Sequence, residues 1–232
     1  HAGIHEKIIN GEKYMSVIEP RIPQNAEMSD ETFTDCAQRS MYDERAIFGM
    51  RFCDRSAERS EFSRLEIKNS SFENCAFTDC SFERASFTDV LFVGCNLSNS
   101  KFTDAYFERC RFVSCKCVGS AISGAVLKNI TILNSNFRYA CFDESKLTGI
   151  FIDGADFTEA SVSGAVLKKF AARDSRFVKN NFFKTMLAGI DFTSCEFSAP
   201  FMSNPPAELS GAKVNMIQAA GLIGLLGVIV EL

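Results

Sequence analysis

The 232-residue chain has no tryptophan and only two histidines, His1 and His5, both within its first fourteen residues. No Ser/His/Asp set can be assembled without a histidine in the body of the chain, and neither a P-loop nor a dinucleotide glycine pattern occurs. A non-enzymatic protein is therefore expected, with no catalytic, cofactor-binding or metal residues. Proline is scarce too, at positions 20, 23, 200, 205 and 206 only. Long apolar runs are missing: the stretch from Met216 to Val230 is fifteen residues and contains Gln218 and three glycines. A spanning helix needs about twenty residues, which disfavours a membrane anchor, the competing reading of that tail. Charge of one sign is not in excess along the body. Residues 51–200 carry eighteen Asp and Glu against nineteen Lys and Arg, while residues 1–50 carry nine acids against five bases.

What the chain does have is a period of five. From Phe52 to Phe197 every fifth residue is apolar, thirty positions in one register; twenty-seven are Phe, Leu, Ile or Val, the others being Ala57, Cys117 and Ala172. Helices repeat at 3.6 and strands at 2, so this period marks a stacked repeat architecture. Two residues before each of these centres the chain is Ala, Ser, Cys or Thr at twenty-one of thirty positions, as in Cys75-Ala76-Phe77. One large and one small inward residue per five suits a narrow coil filled to crystal-like density. Ser123-Gly124-Ala125-Val126-Leu127-Lys128 recurs as Ser163-Gly164-Ala165-Val166-Leu167-Lys168, forty residues on, which is two turns of a four-sided coil. The small column enlarges at twenty-residue spacing (Val90, Cys110, Ile130, Ile150, Phe170, Ile190), and the centre opposite Phe170 shrinks to Ala172. Turns at β spacing, about 4.8 Å, would make a rod of about 35 Å from these residues.

Six of the ten cysteines (Cys75, Cys80, Cys95, Cys110, Cys115, Cys195) occupy the small inward column, and Cys117 a centre. They read as small buried hydrophobes, not as disulfides or metal ligands, and reduced thiols fit a cytoplasmic protein. Residues 1–14 open without Met and read as an expression remnant. Residues 15–46 read as an N-terminal cap; Tyr42 within it and Ile47 just after it keep the register, and Phe33 is one residue out of it. The coil itself is expected over 47–202. Residues 203–232 read as a linker, a helix over 212–226, and a short strand at Val228-Ile229-Val230. That helix is apolar enough all round to suggest a second buried face, hence a dimer through Val214, Ile217, Ala220, Leu222, Ile223, Leu225, Leu226 and Val228.

The tandem small–x–Phe/Leu–x–x pattern resembles the pentapeptide-repeat family, which implies an all-β solenoid: a right-handed quadrilateral β-helix with an N-terminal cap and a C-terminal capping and dimerisation helix. The ending Leu209-Ser210-Gly211-Ala212-Lys213-Val214, Gln218-Ala219 and Leu226-Gly227-Val228-Ile229 is similar to that of Qnr and MfpA-type proteins. That likeness implies a cytoplasmic homodimer that binds type II topoisomerase (DNA gyrase or topoisomerase IV) by duplex mimicry and protects it from quinolones or toxins. The unbroken register leaves no inserted loops, so the chain is more similar to the loop-free members. The candidate contact acids are Asp143, Glu144, Asp153, Asp156, Glu159, Asp191 and Glu196. A basic segment follows (Lys168, Lys169, Arg173, Arg176, Lys179, Lys184), and without interleaved outward aromatics direct nucleic-acid binding is not expected. Outward Tyr106, Val126, Val166 and Met186, with Leu91, Tyr139 and Phe151 on neighbouring sides, form a candidate partner stripe. A scaffold for some other protein partner is the alternative function.

Overall fold

The structure, a computed structural model, describes residues 7–9, 12–14, 17–24 and 26–229. The period of five has a backbone cause. Two residues after every centre but Phe192 the chain enters the left-handed region, as at Asp54, Asn74, Gly94, Asn134 and Asp174. That conformation costs an L-residue about 1–2 kcal/mol, least for Gly, Asn and Asp, which recur at this position. Each such residue turns the chain through a corner, so the coil has sides of five residues. Glu66, Ser86, Tyr106, Val126, Lys146 and Val166 are successive parallel partners, which fixes twenty residues per turn and four sides. Two adjacent sides carry eight-residue strands from Glu66–Glu73 to Val166–Arg173. The other two sides are joined mainly by single bridges, for example Ser81, Lys101, Ala121, Cys141, Ser161, Asn181 and Phe201 in one column. The result is an all-parallel β-solenoid of about nine turns.

Inside, phenylalanines twenty apart lie nearly parallel: Phe72 on Phe92 at 5.2 Å, Phe92 on Phe112 at 4.9 Å, and Phe87 on Phe107 at 4.7 Å. The small column does more than fill space. Cys95 Sγ donates to the Phe72 carbonyl at 3.4 Å, Cys110 to Phe87 at 3.3 Å, and Ser100 Oγ to Phe77 at 2.8 Å. Serine and cysteine there are donors for the carbonyl of a centre in the turn below, which a buried carbonyl requires. Burial pushes the Cys110 thiol up to about 12, and the bond with Cys115 followed by burial does the same to Cys95.

Stacked corners also couple. Asn74, Asn99, Asp104 and Asn134 place Oδ1 within 2.5–2.7 Å of where a Cβ would stand on Gly94, Gly119, Gly124 and Gly154, one turn above. Glycine meets both demands there, left-handed φ and close approach. Gly154→Ala should therefore destabilise the rod by about 1–2 kcal/mol. A urea titration checks this, with Gly189→Ala, where φ is also positive but nothing lies within 4 Å, as the milder comparison.

At the N-terminal end Phe33 is not a displaced coil residue. It opens the helix Phe33–Tyr42, capped by Thr32, and its ring plugs the open coil against Phe52, Phe62, Phe72 and Phe77 at 4.7–5.5 Å. Tyr42 matches the register only by coincidence: it ends that helix and is 89% exposed. Ile47 does lie in the coil, paired with Ile67. The preceding segment is tied along the rod, with Arg21 N–H donating to Asp89, Asn69 to the Arg21 carbonyl, and Glu19 paired with Arg111. Asp89 also holds Arg109 through two bonds of 2.7 and 2.8 Å. Burial raises the Asp89 carboxyl, but these donors outweigh it and leave it below the usual carboxylate range.

At the other end the coil runs past residue 202. Leu187, Gly189 and Phe192 amides donate to the carbonyls of Glu208, Gly211 and Lys213, and Asp191 bridges Lys213. Residues 212–214 thus form a last partial rung, which is why the helix expected from 212 begins at Met216. It ends at Leu222 and tightens to a 3-10 turn, Ile223–Leu226. Asn215 and Gln218 make a capping box, and Gln218 Nε2 donates to the Phe192 and Cys195 carbonyls at 2.9 and 2.6 Å, groups left at the open end of the coil. Val228 and Ile229 form no strand, and Val230 lies outside the described residues.

Candidate interaction surfaces

The described residues hold no cluster of His, Cys, Asp and Glu able to bind a metal, and all ten cysteines are free. The features available for recognition are the apolar C-terminal end and the outer faces of the coil.

The C-terminal cap divides the eight candidate interface residues. Leu222 is buried in its own chain, and Val214 and Leu225 pack partly on the core. Ile217, Ala220, Ile223, Leu226 and Val228 face outward, Ile217 at 86% exposure. Met216 and Ile229, which the sequence pattern passed over, are as exposed as Ile217. Beside them runs an apolar groove of about 460 Å³, lined by Leu209, Ala212, Val214, Leu222, Ile223 and Leu226. An apolar surface of this kind at one end of a rod is unusual for a solvated monomer face.

The seven candidate acids do not gather. In a twenty-residue frame Asp143 and Glu144 lie on one side, Asp156, Glu159 and Glu196 on the next, and Asp153 and Asp191 on a third. Several are already occupied. Asp153 pairs with Arg173 at 2.5 Å and Glu196 with Arg176 at 2.8 Å, while Asp156 lies 3.7 Å from Arg138. Asp143 accepts from the Ser161 hydroxyl and the Ser163 amide. Asp191 accepts from the Thr193 hydroxyl and amide, which hold its carboxyl below the usual range. Where members of the acidic and basic bands lie twenty residues apart, as Asp153 and Arg173 or Asp156 and Arg176 do, they become vertical neighbours. Arg176 stands between Asp156 and Glu196 in a single column.

Another side is different. Tyr106, Val126, Lys146 and Val166 are stacked there in register, with Val166 47% and Met186 52% exposed. From 126 to 169 the outward charges on this side are Lys128, Lys146, Lys168 and Lys169, with no acid among them. Lys146 divides Val126 from Val166 in this column, so the expected apolar stripe is interrupted by basic side chains.

A sequence model described as a pentapeptide repeat region matches residues 65–142, and a second, pentapeptide repeats in eight copies, matches 135–170. The rod is a pentapeptide-repeat β-helix. Among solved structures, the pentapeptide-repeat chain is similar to trypsin-treated QnrB1, described as a plasmid-mediated fluoroquinolone resistance protein. The identity is 22% over 89% of this chain and 96% of that one, with a TM-score of 0.49. It is also similar to HetL, a pentapeptide-repeat protein of the cyanobacterium Nostoc involved in heterocyst differentiation regulation. There the identity is 10% over 79% of this chain and 94% of that one, with a TM-score of 0.37. Among curated proteins none matches this sequence. Among the described residues, no helix of this pentapeptide-repeat chain is long and apolar enough to cross a membrane.

Proposed function

We propose that this protein is a non-catalytic recognition rod that works as a homodimer in the cytoplasm and binds type II topoisomerase, DNA gyrase or topoisomerase IV, protecting it from quinolones or toxins. The observation that carries the reading is the apolar C-terminal end. Its outward Ile217, Ile223, Leu226 and Ile229 are exposed at the position where the sequence ending is similar to that of Qnr and MfpA-type proteins. Joining two copies there would bury that surface and double the length of the rod. Free buried thiols suit a reducing compartment.

The dimer is tested with Ile217→Glu and Leu226→Glu, since Leu222→Glu would damage the cap itself. Light scattering should show a dimer turning into a monomer while the melting temperature moves by only a few degrees; a parent protein that is already monomeric refutes the reading. The partner is tested by titrating gyrase supercoiling with and without ciprofloxacin. Rescue or inhibition at micromolar protein is the expected result, and no effect together with no binding would remove topoisomerase as partner.

A second reading, a scaffold for a different protein, is favoured by one specific observation. Asp153, Asp156 and Glu196 have arginines beside them, so the rod does not display a continuous acidic column like duplex phosphates. A pull-down dominated by a partner other than topoisomerase would support it.

A further inference from the structure

On one flank the hydrogen-bond ladder of the coil is interrupted between the turns at 165–174 and 185–194. Along one corner Asn74, Gly94, Ser114, Asn134 and Gly154 each donate to a carbonyl nineteen residues on, ending with Gly154 to Arg173. The next member, Asp174 to Thr193, is not made; the Thr193 carbonyl accepts instead from Asn215 Nδ2 at 3.0 Å. Val166–Arg173 is accordingly the terminal strand of its sheet. Ser194, at the facing corner, lacks the left-handed φ found at the corners before and after it, Gly189 and Ala199. Leu167 and Phe170 are half-buried, whereas Leu147 and Ile150, one turn below, are buried.

A cleft of about 570 Å³ opens between the two turns, bordered by Phe170, Ala172, Arg173, Gly189, Asp191 and Thr193. Behind it lies a small apolar void of about 30 Å³ touched by Leu147, Ile152, Leu167 and Phe170. The remaining two sides stay closed through Arg176 with Glu196 and Asn181 with Phe201, so the turns are hinged apart on one flank only. Phe170 gives a physical cause: its ring is the largest side chain in the already enlarged column of Ile130, Ile150 and Ile190, while the neighbouring centre shrinks to Ala172.

By the register of the lower turns, the amides of Ala172 and Asp174 and the carbonyl of Phe170 point into this cleft, and the amides of Leu167 and Lys169 continue the same strand edge on the adjoining side. We propose that the cleft is a β-augmentation site that takes an extended acidic–apolar peptide segment of a partner protein. Such a segment supplies carbonyls to the open amides, sets alternate apolar side chains against Leu167 and Phe170, and turns its acids toward Lys168 and Lys169. The strand pairing gives affinity and the alternating side chains give selectivity. The lysines, with Lys128 and Lys146 on the same side below, favour acids on the segment's flank over Val166–Lys169, while Asp174 and Asp191, which line the cleft itself, disfavour acids at that end. The proposal does not depend on the topoisomerase reading.

The test uses the full chain and a fluorescein-labelled peptide Glu-Val-Glu-Val-Glu-Val, with an alternately N-methylated copy and Lys-Val-Lys-Val-Lys-Val as comparisons. The acidic peptide should bind and slow hydrogen exchange at Leu167, Lys169, Ala172 and Asp174 by tenfold or more. N-methylation should abolish binding, and the exposed double substitution Lys168→Glu, Lys169→Glu should weaken it at least tenfold without changing the fold. Three results would overturn it: amides already protected in the free protein, protection that grows with protein concentration and so reports a second copy in the cleft, or binding indifferent to N-methylation.

Discussion

Phe33→Ala is expected to lose about 3–5 kcal/mol of stability, the range for removing a fully buried aromatic ring. Phe33 is 0% exposed, and its ring meets those of Phe52, Phe62, Phe72 and Phe77, which belong to different turns and sides. Without it the first turns would face water directly. In a solenoid each turn is held by its neighbours, so the damage should be graded along the rod. Amides of residues 47–73 should exchange much faster, while those of the Val126–Leu133 and Lys146–Asp153 strands keep most of their protection. Tyr42→Ala, in the same helix but exposed, should move the urea midpoint little. A loss under about 1 kcal/mol, or exchange that accelerates equally in every turn, would show that Phe33 is not the plug.

Raising the pH should destabilise the protein steeply above about pH 8.5. Burial is the main cause that pushes up Cys110 to about 12 and also raises Cys36, Cys80, Cys117 and Cys195. Cys75 is raised first by its side-chain hydrogen bond with Cys95 and Cys95 first by its bond with Cys115, and burial raises both further. An unfolded thiol releases its proton near pH 8.5, whereas these folded thiols keep theirs. Above that pH the unfolded chain binds fewer protons, so stability falls as pH rises. The thiol contribution is fully present below pH 8.5 and is lost progressively up to about 12. By pH 10 a thiol held at about 12, as Cys110 is, costs about 2 kcal/mol. Urea midpoints under reducing conditions at pH 7.5, 9 and 10 measure it. Cys110→Ser keeps a donor for the Phe87 carbonyl and should flatten the slope. A midpoint that does not move between pH 8 and 10 would contradict this account of the interior.

The coil was legible because its cause is local. A corner every five residues, with an inward centre and a small inward partner, repeats whether or not neighbouring turns are known. The twenty-residue turn could be read from the recurring Ser-Gly-Ala-Val-Leu-Lys word and from the oversized column at Val90, Cys110 and Ile130. The left-handed corners also left a signal, recurrent Asn, Asp and Gly two residues after each centre, which composition alone did not translate into φ. The second task of the small column, donating to a carbonyl below, depends on which atoms face each other across a turn and left no separate mark. The ends were harder. Phe33 looked like a coil residue out of step because period and burial coincide only inside the repeat. Residues 212–214 have an apolar pattern that continues into the helix, yet Lys213 serves as a rung first.

For recognition, the same division holds. Charge read along the chain falls into an acidic stretch and a basic one. Stacking places residues twenty apart beside each other, so Arg173 meets Asp153 and Arg176 meets Glu196. That Val166–Arg173 is the terminal strand of its sheet is likewise visible only once turns are laid on turns. The sequence by itself determined the repeat, its four sides, its apolar filling and its exposed apolar ending, because each follows from the identity of residues at fixed short spacing. The tertiary structure decided which charges cancel, what plugs the ends and where the ladder opens, because those depend on contacts between turns that no local pattern encodes.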